Sequence, residues 1–263
     1  MVAYLTLMKT VREEMKQESA ESIGRERCLT GIEGLDSILG GGLPRNNTIL
    51  LTGNCGTGKT SLSLEYLLHG AVGGENGLYL SATEPYEKLL ANMIPYDFFR
   101  KDLIKNGKLT FIDISTIYSK LGFNRDRMSL EDIDLLVVAL GDLTRETKAR
   151  RLVIDSITSI AYQLDTQEKL RNLMLGISKM LSGLGTTSLV ISEMTAADAS
   201  YSKFGVEEAI ADGVILMGNL ERNGDLLRTL QVIKMRGTSH SRAKYVLDLS
   251  TAGTLLVPLL KGG

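Results

Sequence analysis

Short apolar runs alternate with longer stretches of helical periodicity along most of this chain. Five runs rich in leucine, isoleucine and valine have the length and composition of buried strands. They cover residues 48–52, 78–81, 109–114, 151–155 and 188–192. This strand–helix alternation predicts an α/β fold with a mostly parallel central sheet and helices on both faces.

The helices are predicted from apolar positions three and four residues apart. Residues 61–68 and 86–93 have this spacing, and a short helix at 35–39 leads into a triple-glycine turn. Ser129 is the predicted N-cap of a longer helix. Its expected buried residues are Leu135, Leu136, Val138, Ala139 and Leu143. A further helix carries Leu170, Leu173, Met174, Ile177 and Leu181. We interpret residues 115–128 as an irregular, charged excursion.

The last third of the chain has a different pattern. Residues 214–217 are strand-like, and residues 226–235 and 245–249 alternate as strands. Asn223-Gly224, between the first two, is the strongest short hairpin signal. We therefore expect an antiparallel extension of the parallel sheet.

The N-terminal 29 residues form a separate region, an arm at 1–29 ahead of one domain at 30–263. Leu5, Met8, Val11 and Met15 have near-helical spacing, and residues 12–27 are highly charged. Two interpretations stay open, an arm that docks on a neighbouring subunit and a mobile terminus.

Composition narrows the classes of protein. The chain has 263 residues, 43% hydrophobic, with 30 basic against 31 acidic residues. That is enough for one large core, and the balance differs from that of a strongly basic nucleic-acid binder. We expect Cys28 and Cys55 to be free thiols in a reducing cytoplasm. No apolar run approaches the roughly 18–20 residues of a membrane span.

The segment 53–60 reads G-x-x-x-x-G-K-T between a predicted strand and a predicted helix. Glycines there let backbone N–H groups face a polyphosphate, and the helix directs its positive end at the same anion. The alternative is a chance glycine-rich turn. The predicted nucleotide-binding residues are Gly53, Asn54, Cys55, Gly56, Thr57, Gly58, Lys59, Thr60 and Ser61. Lys59 is expected to contact the β- and γ-phosphates of ATP or GTP, and Thr60 to ligate Mg²⁺.

Two carboxylates are candidates for the remaining chemistry. Asp155 ends the apolar strand 152–154, where it can hold the Mg²⁺ shell; otherwise it is an ordinary strand-end residue. Glu84 ends a strand that we expect to lie beside the strand of the phosphate loop. There it can orient or deprotonate the attacking water, and the alternative is a helix-start acid.

Lys234 and Arg236 are two residues apart, so on a strand they share one face. Such a pair can neutralise a triphosphate, in the same subunit or from the next one. The alternative is a solvated strand edge. Gly237 then breaks the strand and exposes Thr238 and His240.

In combination these motifs resemble a KaiC-type ATPase domain of the RecA/RadA superfamily, over residues 27–258. The matching segments are 30–44, 53–60, 83–85, 151–156, 205–208 and 234–240. The resemblance implies a RecA-like P-loop core, usually a homo-hexameric ring with ATP between protomers. Lys234, Met235, Arg236, Thr238 and His240 match the segment that reaches the neighbour's nucleotide, and Glu84 matches the catalytic glutamate.

The sequence departs from the family pattern in two places, and each changes the activity that we expect. KaiC-type domains often have adjacent glutamates where this chain has Thr83-Glu84, so we expect hydrolysis to survive at a low rate. Glu207-Glu208 occupies the region where KaiC phosphorylates neighbouring Ser and Thr residues. We therefore do not expect an autokinase cycle.

Three functions follow as hypotheses. The first is an oligomeric, ATP-hydrolysing regulator, and the second is a RadA paralogue that binds single-stranded DNA. The loop 196–204 matches the DNA-contacting loop of RecA-type proteins but offers only Tyr201 and Lys203. The third is a scaffold that binds ATP without turnover, which the missing acid at Thr83 suggests. The sequence does not identify a partner protein.

Overall fold

A nine-stranded sheet lies at the centre of the fold. The computed structural model of the chain describes residues 26–123, 128–194 and 200–259. Its strands are β1 (Arg27–Cys28), β2 (Leu43–Pro44), β3 (Thr48–Gly53), β4 (Gly77–Ser81), β5 (Leu109–Asp113), β6 (Arg151–Asp155), β7 (Thr187–Glu193), β8 (Gly213–Arg222), β9 (Asp225–Met235), β10 (Lys244–Ser250) and β11 (Gly253–Pro258). The large sheet has the order β11-β10-β9-β8-β3-β7-β6-β4-β5, and β1 pairs with β2 separately.

Helices cover both faces of this sheet. They are α1 (Leu35–Ile38), α2 (Lys59–Val72), α3 (Tyr86–Met93), α4 (Lys101–Lys105), α5 (Ile114–Leu121), α6 (Leu130–Glu146), α7 (Ile157–Ala161), α8 (Gln167–Gly183) and α9 (Glu207–Ile210). Strand β3 alternates between two apolar clusters. Ile49 and Leu51 belong to the cluster that includes α2, and Leu50 to the cluster with α6 and α8. Burial on both faces explains the continuous apolar runs of the parallel strands.

The parallel core and its antiparallel extension are both confirmed. Strand β3 pairs in parallel with β7 and β8, whereas β8 to β11 pair antiparallel in succession. Asn223 and Gly224 have positive φ angles of 55° and 87° between the paired Arg222 and Asp225. This is the predicted two-residue hairpin, in the conformation that Asn-Gly favours.

Two helix predictions are wrong. Residues 115–128 do not form one irregular excursion, because α5 occupies Ile114–Leu121. Ile114, Ile117 and Tyr118 bury its inner side, and polar neighbours hide that three-and-four spacing in the sequence. In α6, Leu135 and Val138 are 48% and 57% exposed.

The inner face of α6 combines three of the five predicted residues with others. Ile133, Leu136 and Leu140 are buried, and Ala139 and Leu143 pack partly against the same cluster. Helix α6 has apolar residues on two sides, so its periodicity alone does not choose the buried one. The helix predicted from Leu170, Leu173, Met174, Ile177 and Leu181 is confirmed as α8, and all five residues are buried.

The described N-terminal residues already belong to the fold. Arg27 and Cys28 pair with Pro44 and Leu43. The four apolar residues of the predicted arm lie outside the described residues. Within the described part, no helix is both long and apolar enough to cross a bilayer.

Ser129 starts α6 with a capping box. Its side chain accepts from Asp132 N at 3.1 Å, and the Asp132 carboxylate accepts from Ser129 N at 2.8 Å. We expect Ser129→Ala to lower the free energy of unfolding by about 1 kcal/mol, because one N-terminal donor loses its acceptor. Urea unfolding measures this. Ser119→Ala, at an exposed position within α5, is the matched control. Equal stability of the two variants would contradict the capping role.

Candidate functional site

The phosphate-loop motif joins β3 to α2 at the carboxyl end of the parallel strands. Gly53 and Gly58 have φ angles of 152° and 96°. A Cβ atom would lie 2.0 Å from Met217 O at Gly53 and 2.4 Å from Leu249 Cδ1 at Gly58. The loop path therefore favours glycine at both positions, because a side chain would be strained at either φ and at Gly53 would also clash with backbone.

The Lys59 ammonium is folded onto this loop. Its side chain is nearly buried, and Nζ donates to the carbonyls of Gly53 and Asn54 at 2.8 Å each. Burial lowers the pKa of Lys59, while the charges of Glu193 and Asp155 oppose that shift. Lys59 therefore supplies a partly desolvated cation, which interacts more strongly with an anion than a solvated one.

Asp155 ends β6 and faces the start of α2. Its Oδ2 accepts from Thr60 Oγ1 at 2.7 Å and from Tyr79 OH at 2.6 Å. Burial raises the pKa of Asp155, and the two hydroxyl donors work against that shift. The structure thus brings together Thr60 and Asp155, the two residues predicted to ligate a metal.

The chemistry of these donors suits Mg²⁺. A hydroxyl and a carboxylate are hard oxygen ligands, and Mg²⁺ usually binds one or two carboxylates together with substrate phosphates. The described residues contain no cluster of three or more His, Cys, Asp or Glu that would form an all-protein metal site. Thr60 and Asp155 could therefore hold Mg²⁺ jointly with a bound nucleotide.

Glu84 lies elsewhere than predicted. Strands β7 and β6 separate β4 from the phosphate-loop strand β3, so the expected adjacency of β4 and β3 is wrong. The order in which later strands insert between earlier ones leaves no local trace in the sequence. Ser81 at the end of β4 instead pairs with Asp155. Glu84 follows that end, where its charge contributes to the raised pKa of Asp155 and its carboxylate meets Lys88 Nζ at 3.4 Å.

A cavity of about 390 Å³ opens over the loop. Its lining adds Tyr96, Ile191, Glu193, Arg228 and Leu249 to the predicted set. Arg228 Nε donates to Gly56 O at 3.3 Å. The sequence analysis did not assign these five residues or Tyr79 to the site, because none belongs to a motif. For Glu193 a signal existed, since it ends a buried strand as Asp155 does.

Lys234 lies near the end of β9, and Arg236 follows directly after the last residue of that strand. Lys234 Nζ donates to the carbonyls of Glu208 and Ala211 at 3.1 and 2.6 Å. Arg236 pairs with Asp212 at 3.1 Å and donates to Ala209 O at 3.3 Å. Burial lowers the pKa of Lys234, and the nearby charge of Arg236 adds to that effect. The segment 207–212 therefore binds both cationic side chains.

This cation pair is far from the phosphate loop of its own subunit. Met235 pairs with Gly213, which pairs with Ile49, four residues before Gly53. At about 3.3 Å per residue, the pair lies about 13 Å before the loop along the strands. The Met235 side chain is buried, so only its backbone is available to a ligand.

Thr238 and His240 follow the strand break at Gly237, and each makes a hydrogen-bond contact within its own subunit. Thr238 Oγ1 accepts from Arg27 at 2.7 Å, and His240 Nδ1 contacts Ser241 O at 3.1 Å. Neither contact involves the phosphate loop. The five residues expected to act on a neighbour's nucleotide therefore lie together at the amino end of the parallel strands.

The fold and the loop geometry define a RecA-like P-loop ATPase domain. A family model described as KaiC ATPase matches residues 28–260. The chain belongs to this KaiC ATPase family.

Known relatives agree with that assignment. A protein named UPF0273 from Aeropyrum pernix is 34% identical over 89% of this chain and 94% of its own length. The circadian clock oscillator protein KaiC from a Nostoc species is 30% identical over 94% of this chain, which spans 47% of that protein. The crystal structure of a KaiC-like protein from Pyrococcus horikoshii superposes with a TM-score of 0.77, at 32% identity, covering 89% of this chain and all of that one.

The buried Asp155 makes stability depend on pH. The ordinary pKa is 3.8 and the folded value is higher, so between these values the folded chain binds more protons than the unfolded chain. The free energy of unfolding therefore falls as pH rises through that window. We expect the stability of Asp155→Asn, relative to the parent, to grow across it by about 1.4 kcal/mol per pKa unit.

Urea unfolding at several pH values from about 4 to about 8 tests this expectation. The exposed Asp134→Asn is the control and gives a smaller pH-dependent difference. A difference for Asp155→Asn that stays constant or shrinks as pH rises would show that burial does not penalise this carboxylate.

Proposed function

We propose that this protein binds Mg-ATP at the 53–60 loop and hydrolyses it slowly as an oligomeric, nucleotide-dependent regulator in the cytoplasm. The contact between the Thr60 hydroxyl and Asp155 is the observation that carries the proposal. It joins the phosphate-binding helix to the predicted metal carboxylate. Bound Mg²⁺ would neutralise phosphate charge, as it does in P-loop NTPases generally.

The residues of this chain have distinct roles in the proposal. Loop N–H groups and Lys59 bind the phosphates, and Thr60 and Asp155 hold the metal. Glu84 orients the attacking water and accepts its proton. Thr83 stands where a second acid is common, which supports a low rate.

The neighbouring subunit supplies the remaining positive charge. In the proposal Lys234, Arg236, Thr238, His240 and the backbone of Met235 act on the nucleotide of the adjacent protomer. Their position at the opposite end of the sheet from their own loop supports this arrangement. A head-to-tail contact that brings one end against the other generates a ring when the rotation closes, and we propose a homo-hexamer.

No autokinase cycle is proposed, because Glu207 is a buried acid and not a serine or threonine whose hydroxyl could accept a phosphoryl group. Binding of single-stranded DNA is not proposed either. Tyr201 is exposed, but residues 195–199 of that loop lie outside the described residues and the net charge is −1. A phosphate-tracking groove needs several cations.

Glu84→Gln tests the hydrolytic role. We expect kcat to fall by about 100-fold or more with ATP affinity kept, because the amide cannot accept a proton. Phosphate release and binding of a fluorescent nucleotide measure the two quantities. Glu87→Gln, an exposed acid in the first turn of the helix that follows Glu84, is the matched control. Unchanged turnover in Glu84→Gln would remove the proposed role, and absent turnover in the parent would favour the ATP-gated scaffold.

Mixing two inactive variants tests the shared site. Glu84→Gln removes the water-activating acid from the loop side of the site, and Arg236→Ala removes a cation from the side that the neighbouring subunit supplies. We therefore expect each variant alone to be nearly inactive. In co-assembled equal mixtures about one interface in four combines two intact halves, and activity should return to roughly that share. Phosphate release measures it. A mixture no more active than its components would mean that each subunit supplies its whole site.

A further inference from the structure

A buried carboxylate lies between the nucleotide cavity and the cation pair. Glu207 begins α9 and is 0% exposed. Its Oε1 accepts from Ser192 Oγ at 3.2 Å, and its Oε2 accepts from Val206 N at 3.2 Å. These donors are neutral. Burial of a carboxylate among neutral groups is costly in free energy, so the position calls for a role beyond packing.

One side of Glu207 leads to the nucleotide cavity. Ser192 and Thr158 hydroxyls lie 3.4 Å apart, and Thr158 Oγ1 accepts from Glu193 N at 2.8 Å. Glu193 lines the cavity, and its charge acts on the pKa of Lys59. The end of β7 is therefore tied both to the phosphate-binding lysine and to Glu207.

The other side leads to the cations. The Glu207 carbonyl accepts from Ala211 N at 2.9 Å and closes the single turn of α9. Lys234 donates to the carbonyls of Glu208 and Ala211. Arg236 donates to the Ala209 carbonyl and pairs with the Asp212 carboxylate. A shift of α9 would therefore move both cations together.

We propose that Glu207 is a positioning residue, which couples the nucleotide cavity of one subunit to the cation pair that this subunit offers to the next. The inference rests on the proposed function. When nucleotide contact changes the end of β7, the Ser192–Glu207 hydrogen bond transmits the change to α9. The occupancy of one site then sets the position of Lys234 and Arg236 at the adjacent site. This coupling follows one hydrogen-bonded path with defined ends.

Hydrogen exchange tests the path without requiring turnover. We expect Mg²⁺ with a non-hydrolysable ATP analogue to slow amide exchange in residues 53–60 and in residues 206–212 of the parent. In Ser192→Ala, protection of 53–60 should remain and the added protection of 206–212 should be lost. Ser192 is wholly buried, so this change leaves the subunit surfaces intact.

Ser188→Ala is the matched control. Ser188 is a buried serine of the same strand, and its hydroxyl donates to Thr48 rather than to Glu207. It should show the parent's protection in both segments. Glu207→Gln provides a second variant of almost equal size, in case Ser192→Ala does not fold. We expect Glu207→Gln to lose the added protection as well, because its single amide oxygen cannot accept from both Ser192 Oγ and Val206 N as the Glu207 carboxylate does.

Turnover supplies a readout that packing alone would not move. We expect Glu207→Gln to lower kcat about tenfold with KM within about twofold, and to lower it no further in a Lys234→Ala background. Additive effects in that double-mutant cycle would overturn the inference. Equal protection of 206–212 in the parent and Ser192→Ala would also overturn it and leave the proposed function intact. Absent protection of 53–60 in the parent would overturn both.

Discussion

The hydrogen bond from Thr60 to Asp155 joins the two halves of the phosphate site. Thr60 opens the helix that follows the loop, and Asp155 ends a strand two positions away in the sheet. A buried carboxylate is unfavourable unless donors meet it, and Tyr79 provides the second donor from the next strand. The contact therefore depends on three chain segments whose order in the sheet must be correct.

That order explains why the site lies where it does. Strand β7 inserts between the loop strand β3 and the strand of Asp155, so its last residue, Glu193, faces the cavity between Lys59 and Asp155. The acids of two strands then converge on one lysine. Lys59 stays close to the loop because both its charge partners and the loop carbonyls stabilise it there.

Much of this architecture follows from local patterns in the chain. Buried strands with apolar residues on both faces, the Asn-Gly hairpin and the loop motif each leave a signal within about ten residues. Strand order leaves none, so the expected adjacency of the Glu84 strand to the loop strand was wrong. The buried side of α6 was mispredicted at two of five positions for a related reason, since Leu135 and Val138 continue an apolar pattern that tertiary packing leaves exposed. Tyr79 and Glu193 act through neighbours that only the folded sheet brings together.

The sheet also separates the chemistry into two ends. Parallel strands direct the loop, Asp155 and the Glu84 turn to the carboxyl end, whereas the antiparallel return of β9 delivers Lys234 and Arg236 to the amino end. A subunit with complementary halves at opposite ends cannot neutralise its own triphosphate with that cation pair. In the proposed function, association of identical subunits completes each site at a contact between two chains, and the short helix α9 is the segment that connects both ends through Ser192 and Glu207. Under that proposal assembly and catalysis depend on each other, because the same separation of charges that leaves a subunit incomplete makes its neighbour respond to its nucleotide.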